Sequence, residues 1–178
     1  MEDAPNLVLV GPMGVGKSAL GRRLSAQLGL PFADADQVLE RQAGSRIPAI
    51  FETEGESGFR QREREVLARL LAADGQVIAT GGGAVLDPGN RESMRKRGFV
   101  VWLQADVESR LDRLASAVDR PLLRGGDRRA SLLRLAAERA PFYAEVADLA
   151  FDTDGQAEDE AADALAALVQ ARWHRDSP

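Results

Sequence analysis

The eight residues Gly11-Pro12-Met13-Gly14-Val15-Gly16-Lys17-Ser18 constrain this chain more than any others. Two glycines five apart, followed by Lys and Ser, have the spacing of a loop that wraps phosphate oxygens. The apolar run Leu7-Val8-Leu9-Val10 leads into them, and Leu20, Leu24 and Leu28 follow at helical spacing, so the loop joins a strand to a helix. Glycines let the backbone curl until successive N–H groups point at an anion, and the helix N-terminus adds its partial positive charge. Lys17 would reach the β- and γ-phosphates and Ser18 would hold Mg²⁺, with Gly14, Val15, Gly16 and Ala19 completing the cradle. One of the chain's two lysines stands here. Nucleoside triphosphate binding is the first expectation.

The bulk numbers narrow the rest. A chain of 178 residues suits a single core, so one domain over residues 1–178 is expected. Hydrophobic content of 44% beside 29% charged residues argues against extended disorder. A net charge of −5 speaks against a nucleic-acid partner. Most of the 21 arginines alternate with acids, as from Arg60 to Arg69, which reads as solvated helix faces. The absence of cysteine removes disulfides and thiolate metal sites. No N-terminal signal or membrane-length apolar run is present, and only Met1 to Pro5 precede the first strand; a cytoplasmic protein with no membrane partner is expected. With no long exposed apolar stripe, a monomer is expected too. His174, in a polar tail, is given no role.

Five short apolar runs alternate with helical patterns: Leu7 to Val10, Leu30 to Ala33, Val77 to Thr80, Phe99 to Leu103 and Leu149 to Phe151. Such alternation reads as a parallel sheet with crossover helices. Asp87 as N-cap with Pro88 in the first turn and Gly98 at the end marks one helix, and Asp106 caps another that carries Leu111 and Leu114. A last helix of about Glu158 to Trp173 would place Ala161, Leu165, Leu168 and Trp173 on one stripe. Ser116 to Arg129, rich in Arg, Gly and Asp, reads as a lid over residues 115–129.

The second substrate has to be read from four further features. Asp34-Ala35-Asp36 closes the second strand, where open parallel sheets gather ligands. One carboxylate would orient magnesium-bound water and the other accept a proton; the alternative is an exposed helix-capping pair. Gly81-Gly82-Gly83 follows the third strand and either lets a ligand approach bare backbone or simply supplies a tight turn with positive φ. Arg60, near Gly55-Glu56 and Phe59, would point toward the sheet from the first turn of a helix with Val66, Leu67 and Leu70 on its core face, unless it is a surface Arg beside a Glu. Arg120, in Asp119-Arg120-Pro121-Leu122-Leu123, and Arg139, in Arg139-Ala140-Pro141-Phe142-Tyr143, would either neutralise a transferring phosphoryl group or fork onto a carboxylate.

In this order and spacing, over nearly the whole chain, these motifs resemble those of the shikimate kinases, which phosphorylate shikimate with ATP in aromatic amino-acid biosynthesis. The resemblance implies a P-loop NTPase-type, three-layer α/β/α fold with a five-stranded parallel sheet in the order 2-3-1-4-5 and a mobile lid. It makes Asp36 the base toward the attacked hydroxyl, with Lys17 and Arg120 as the other catalytic groups. Arg60 and Arg139 would bind the shikimate carboxylate, and Gly82, flanked by Gly81 and Gly83, would donate its N–H. Asp34 would order the Mg²⁺ shell through water. Arg113 would lie against adenine, and Gln156, after Asp152-Thr153, would touch the base. Ala35 stands where the family often has Ser or Thr, which leaves both carboxylates intact.

Other readings compete. A gluconate or nucleoside monophosphate kinase would use the same fold, with Arg60 and Arg139 on a phosphate. A guanine-nucleotide switch would need an Asn-Lys-x-Asp reader, and neither Asn6 nor Asn90 precedes a Lys.

Overall fold

A computed structural model describes residues 4–115 and 126–173. Five parallel strands, β1 (Asn6–Val10), β2 (Phe32–Asp34), β3 (Val77–Ala79), β4 (Gly98–Gln104) and β5 (Leu149–Asp152), form one sheet in the order β2-β3-β1-β4-β5. The helices are α1 (Lys17–Leu28), α2 (Ala35–Ala43), α3 (Ile47–Ala72), α4 (Pro88–Arg97), α5 (Val107–Leu114), α6 (Arg128–Val146) and α7 (Glu158–Arg172), with a 3-10 turn at Ala84–Leu86. This is the strand order that the resemblance implies.

The central strand explains the layers. Every residue of β1 is buried, as a continuous apolar run in a parallel sheet requires. Leu7 and Leu9 pack with Leu20 and Leu24 of α1 and Leu165 and Val169 of α7. Val8 and Val10, one residue out of phase, pack with Leu67 and Leu71 of α3, Met94 of α4 and Val146 of α6. Helices therefore cover both faces, and the carboxyl ends of β1, β2 and β3 are left to carry a ligand site.

The caps at Asp87 and Asp106 form as expected: the carboxylates accept from Asn90 N at 3.1 Å and Ser109 N at 2.7 Å. Four features differ from the sequence reading. Leu30 lies outside β2 because its N–H is taken by Ser25 O in the exit turn of α1. On α7, Leu168 is 40% exposed, and Val169 continues the buried stripe of Ala161, Leu165 and Trp173 at every fourth residue. Of the stretch read as a lid, Arg128 and Arg129 belong to α6, because Asp127 accepts from Arg129 N and Ala130 N and caps that helix. Residues 116–125, with Arg120, lie outside the described residues, as does His174.

The fourth difference shapes the site. Helix α3 begins at Ile47, with a proline in its first turn, and breaks at Gly55 instead of starting there. Gly55 has φ 70° and ψ −176°, a conformation that is essentially glycine-only. Across the bend the Phe51 and Phe59 rings meet at 4.8 Å between centroids, which sets the direction in which Arg60 leaves the second limb. A Cβ on Gly55 would touch nothing within 4 Å, so its cost is conformational alone. Gly55→Ala is expected to destabilise the protein by about 1–3 kcal/mol, read as a lowered midpoint in denaturant unfolding.

Among the described residues no helix is long and apolar enough to cross a membrane.

Candidate active site

The phosphate loop is built by space as well as by conformation. Gly14 has φ 79°, and a Cβ there would sit 2.8 Å from Arg110 O, so no other residue fits. Lys17 opens α1, and its ammonium donates to Gly11 O at 2.6 Å and Pro12 O at 3.0 Å, which holds it over the loop. The Ser18 hydroxyl donates to Asp34 Oδ2. Asp34 Oδ1 accepts from Gln37 N at 3.2 Å, so this half-buried residue caps α2 and meets Ser18 at once. The exposed-cap reading is thus half right for Asp34. Hydroxyl and carboxylate oxygens side by side at a phosphate loop are the hard donors that Mg²⁺ prefers. Among the described residues no three His, Cys, Asp or Glu side chains cluster to hold a metal, and a site completed by phosphate oxygens and water needs no such cluster.

The other side of the site is organised by the three glycines after β3. None of them has positive φ, so a need for positive φ does not explain Gly81-Gly82-Gly83. What they supply is room. A Cβ on Gly81 would lie 2.8 Å from Glu63 Oε2 and 3.0 Å from Asp36 Oδ1; on Gly82, 3.3 Å from an Arg139 Nη; on Gly83, inside the Arg60 guanidinium, 2.7 Å from its Cζ. Residues from α2, α3 and α6 therefore converge on one bare stretch of backbone. Arg60 is 18% exposed and donates to Glu63 Oε1 at 2.8 Å and Glu56 Oε1 at 3.4 Å. It is neither a free surface arginine nor a fully buried one.

Glu63 was hidden within the charged run that reads as a solvated face, yet it is only 4% exposed. Burial pushes its carboxyl above the ordinary range, partly offset by Arg60, and the nearby Asp36 charge adds to the rise. The signal that could have found it is periodicity: Phe59, Glu63, Val66 and Leu67 share the buried stripe of α3. Arg139 is 3% exposed, and its charge acts on the Glu63 carboxylate. Beside it, burial pushes the Tyr143 phenol up to about 12, against the charge and hydrogen bond of Arg139.

A cavity of about 580 Å³ joins the two halves. Its wall includes Gly14, Val15, Gly16, Lys17, Ser18 and Ala19 from the loop, Asp34 and Asp36 from the second strand and α2, and Gly81 and Gly82. Arg113 and Gln156 line it as well. The Arg113 guanidinium donates to Gly14 O at 3.2 Å and Val15 O at 2.9 Å, and Gln156 Nε2 donates to Asp152 O at 2.9 Å. Arg60, Gly83 and Arg139 are not among the residues that line the cavity; Arg139 lies against Gly82 and Arg60 against Gly83. Thr80 and Met13, to which the sequence reading gave no role, also face the cavity.

A parallel 2-3-1-4-5 sheet with a glycine-lysine-serine loop after its central strand defines a P-loop NTPase domain, and an acidic, arginine-lined pocket beside that loop marks a phosphotransferase. The family model for shikimate kinase matches residues 13–170, and the chain belongs to that family. It is 52% identical to the shikimate kinase of Xanthomonas axonopodis pv. citri over 177 residues, covering 99% of this chain and 98% of that one. The shikimate kinase of Stenotrophomonas maltophilia is 50% identical over 175 residues, covering 98% and 97%. Among solved structures, the shikimate kinase from Acinetobacter baumannii in complex with shikimate superimposes with a TM-score of 0.90 at 42% identity, covering 97% of each chain.

Proposed function

We propose that this chain, acting as one cytoplasmic, monomeric domain, transfers the γ-phosphoryl group of ATP to a ring hydroxyl of shikimate, giving shikimate 3-phosphate and ADP. The observation that carries the acceptor assignment is Arg139: a buried guanidinium set against the bare Gly82 backbone, one of two arginines on the glycine stretch, suits an anionic group of the substrate. Arg60, held by Glu63 on the next glycine, supplies a second cation for the same carboxylate. Family membership and the shikimate complex of the Acinetobacter relative support the choice of shikimate over other hydroxy acids.

The reaction then follows from position. Asp36, on the cavity wall, takes the proton of the attacking hydroxyl as the new oxygen–phosphorus bond forms and the bond to the β-phosphate oxygen breaks. Lys17 neutralises charge on the phosphoryl oxygens, and Arg120 is assigned to the ATP phosphates by the resemblance. The oxygen pair Ser18 and Asp34 suits Mg²⁺, Ser18 directly and Asp34 through water. When bound, that ion would screen the β- and γ-phosphate charge. Arg113 and Gln156, which line the cavity, are assigned to the adenine by the resemblance.

The test is a coupled assay of ADP release with ATP and Mg²⁺ fixed and shikimate, gluconate and nucleoside monophosphates added in turn. Release that depends on shikimate is expected. Release with another acceptor alone would keep the phosphate loop and overturn the substrate, while acceptor-independent hydrolysis would favour a nucleotide switch.

A further inference from the structure

We infer that Tyr143 is a positioning residue of the acceptor site, its phenol fixing the triple-glycine loop to α6 so that Gly82 and Arg139 meet the same ligand. The inference rests on the acceptor reading above and extends it to a residue that touches no substrate.

Each of the three glycine carbonyls has a donor. Gly81 O accepts from Ala84 N and Gly83 O from Leu86 N, both at 3.1 Å, and both donors belong to the 3-10 turn that the loop itself runs into. These bonds hold the loop in shape without tying it to another element. The middle carbonyl is held from outside, by Tyr143 Oη at 2.5 Å, across 61 residues of sequence. The donor comes from α6, and Arg139 lies one helical turn earlier on that helix. That places an Arg139 nitrogen 3.3 Å from the point where a Gly82 Cβ would be. One helix thus grips the Gly82 peptide by its carbonyl and presents a cation beside its Cα. With the carbonyls engaged, the peptide N–H groups are what the loop has to offer a ligand.

Two features suit Tyr143 to this task. The residue is only 1% exposed, so water does not compete for its proton, and its ring is seated at 5.8 Å from Trp102 of β4. The phenol, raised to about 12 by burial, also remains a donor throughout the neutral range. A buried hydroxyl donor of this kind restrains its acceptor because the unmade bond would be costly on both sides.

Tyr143→Phe removes the donor and keeps the ring. It is expected to raise the KM for shikimate by about five- to tenfold and to change the KM for ATP by less than about twofold. In the ligand-free protein, amide exchange over residues 81–86 is expected to accelerate by about tenfold. Trp102→Leu provides the packing control: it keeps the hydroxyl, lowers the melting temperature and shifts the two KM values together. Parallel rises in both KM values for Tyr143→Phe, or unchanged exchange over residues 81–86, would overturn the inference. The exchange readout needs no substrate, so a wild-type enzyme that ignores shikimate would sink the functional reading while leaving the anchoring to be decided separately.

Discussion

Asp36→Asn is expected to lower the kcat for shikimate phosphorylation by about 10²–10⁴, the usual contribution of a positioned general base, with the KM for ATP moved by less than about twofold. Three carboxylates stand close to the proposed site, and their surroundings divide the work proposed for them. Asp34 is engaged on both oxygens, by the Ser18 hydroxyl and the Gln37 N–H. Glu63 is buried behind the glycines and ion-paired with Arg60. Asp36 alone combines a place on the cavity wall with a position beside Gly81. Asparagine keeps the shape and one acceptor oxygen but takes no proton, so the loss falls on turnover. Steady-state kinetics with both substrates varied would check this. A fall in kcat of under about tenfold, with a raised KM for shikimate, would reduce Asp36 to a binding group.

What the sequence made legible was periodic or local. The alternation of Leu7, Val8, Leu9 and Val10 between two cores needs only the two-residue repeat of a strand, and the caps at Asp87 and Asp106 act within three residues. Exit turns and helix breaks were harder. Leu30 has a strand-like side chain, but its N–H is spent on α1, and Gly55 bends α3 without ending it. The candidate site residues were readable as types, and what gathers them was not. Gly81, Gly82 and Gly83 look like a turn until Asp36, Arg139 and Arg60 arrive from three other elements to fill the space. Glu63 was obscured because alternating charges resemble a wet helix face, although its spacing from Phe59 and Val66 places it on the dry one. Non-local packing decided these cases, and a pattern read along the chain carries little of it.

Gly83→Ala is expected to raise the KM for shikimate by about 10- to 100-fold, as the loss of a charge-assisted, forked contact would, with the KM for ATP little changed. The added methyl would occupy the place of the Arg60 guanidinium, with one Nη at 2.5 Å and Cζ at 2.7 Å. A long side chain usually yields cheaply at its far end. Here the guanidinium is pinned by Glu63, and moving it strips the cation from a carboxylate that is 4% exposed. The substitution therefore costs stability as well as affinity, and a lowered denaturant midpoint should accompany the kinetic effect. Arg60→Lys separates the causes, since it keeps the charge and removes the fork without adding a methyl at residue 83. If both variants act through Arg60, the double variant will bind shikimate little worse than the weaker single one. Additive losses would mean that Gly83 meets the substrate directly, and an unchanged KM in Gly83→Ala would remove Arg60 from the carboxylate site.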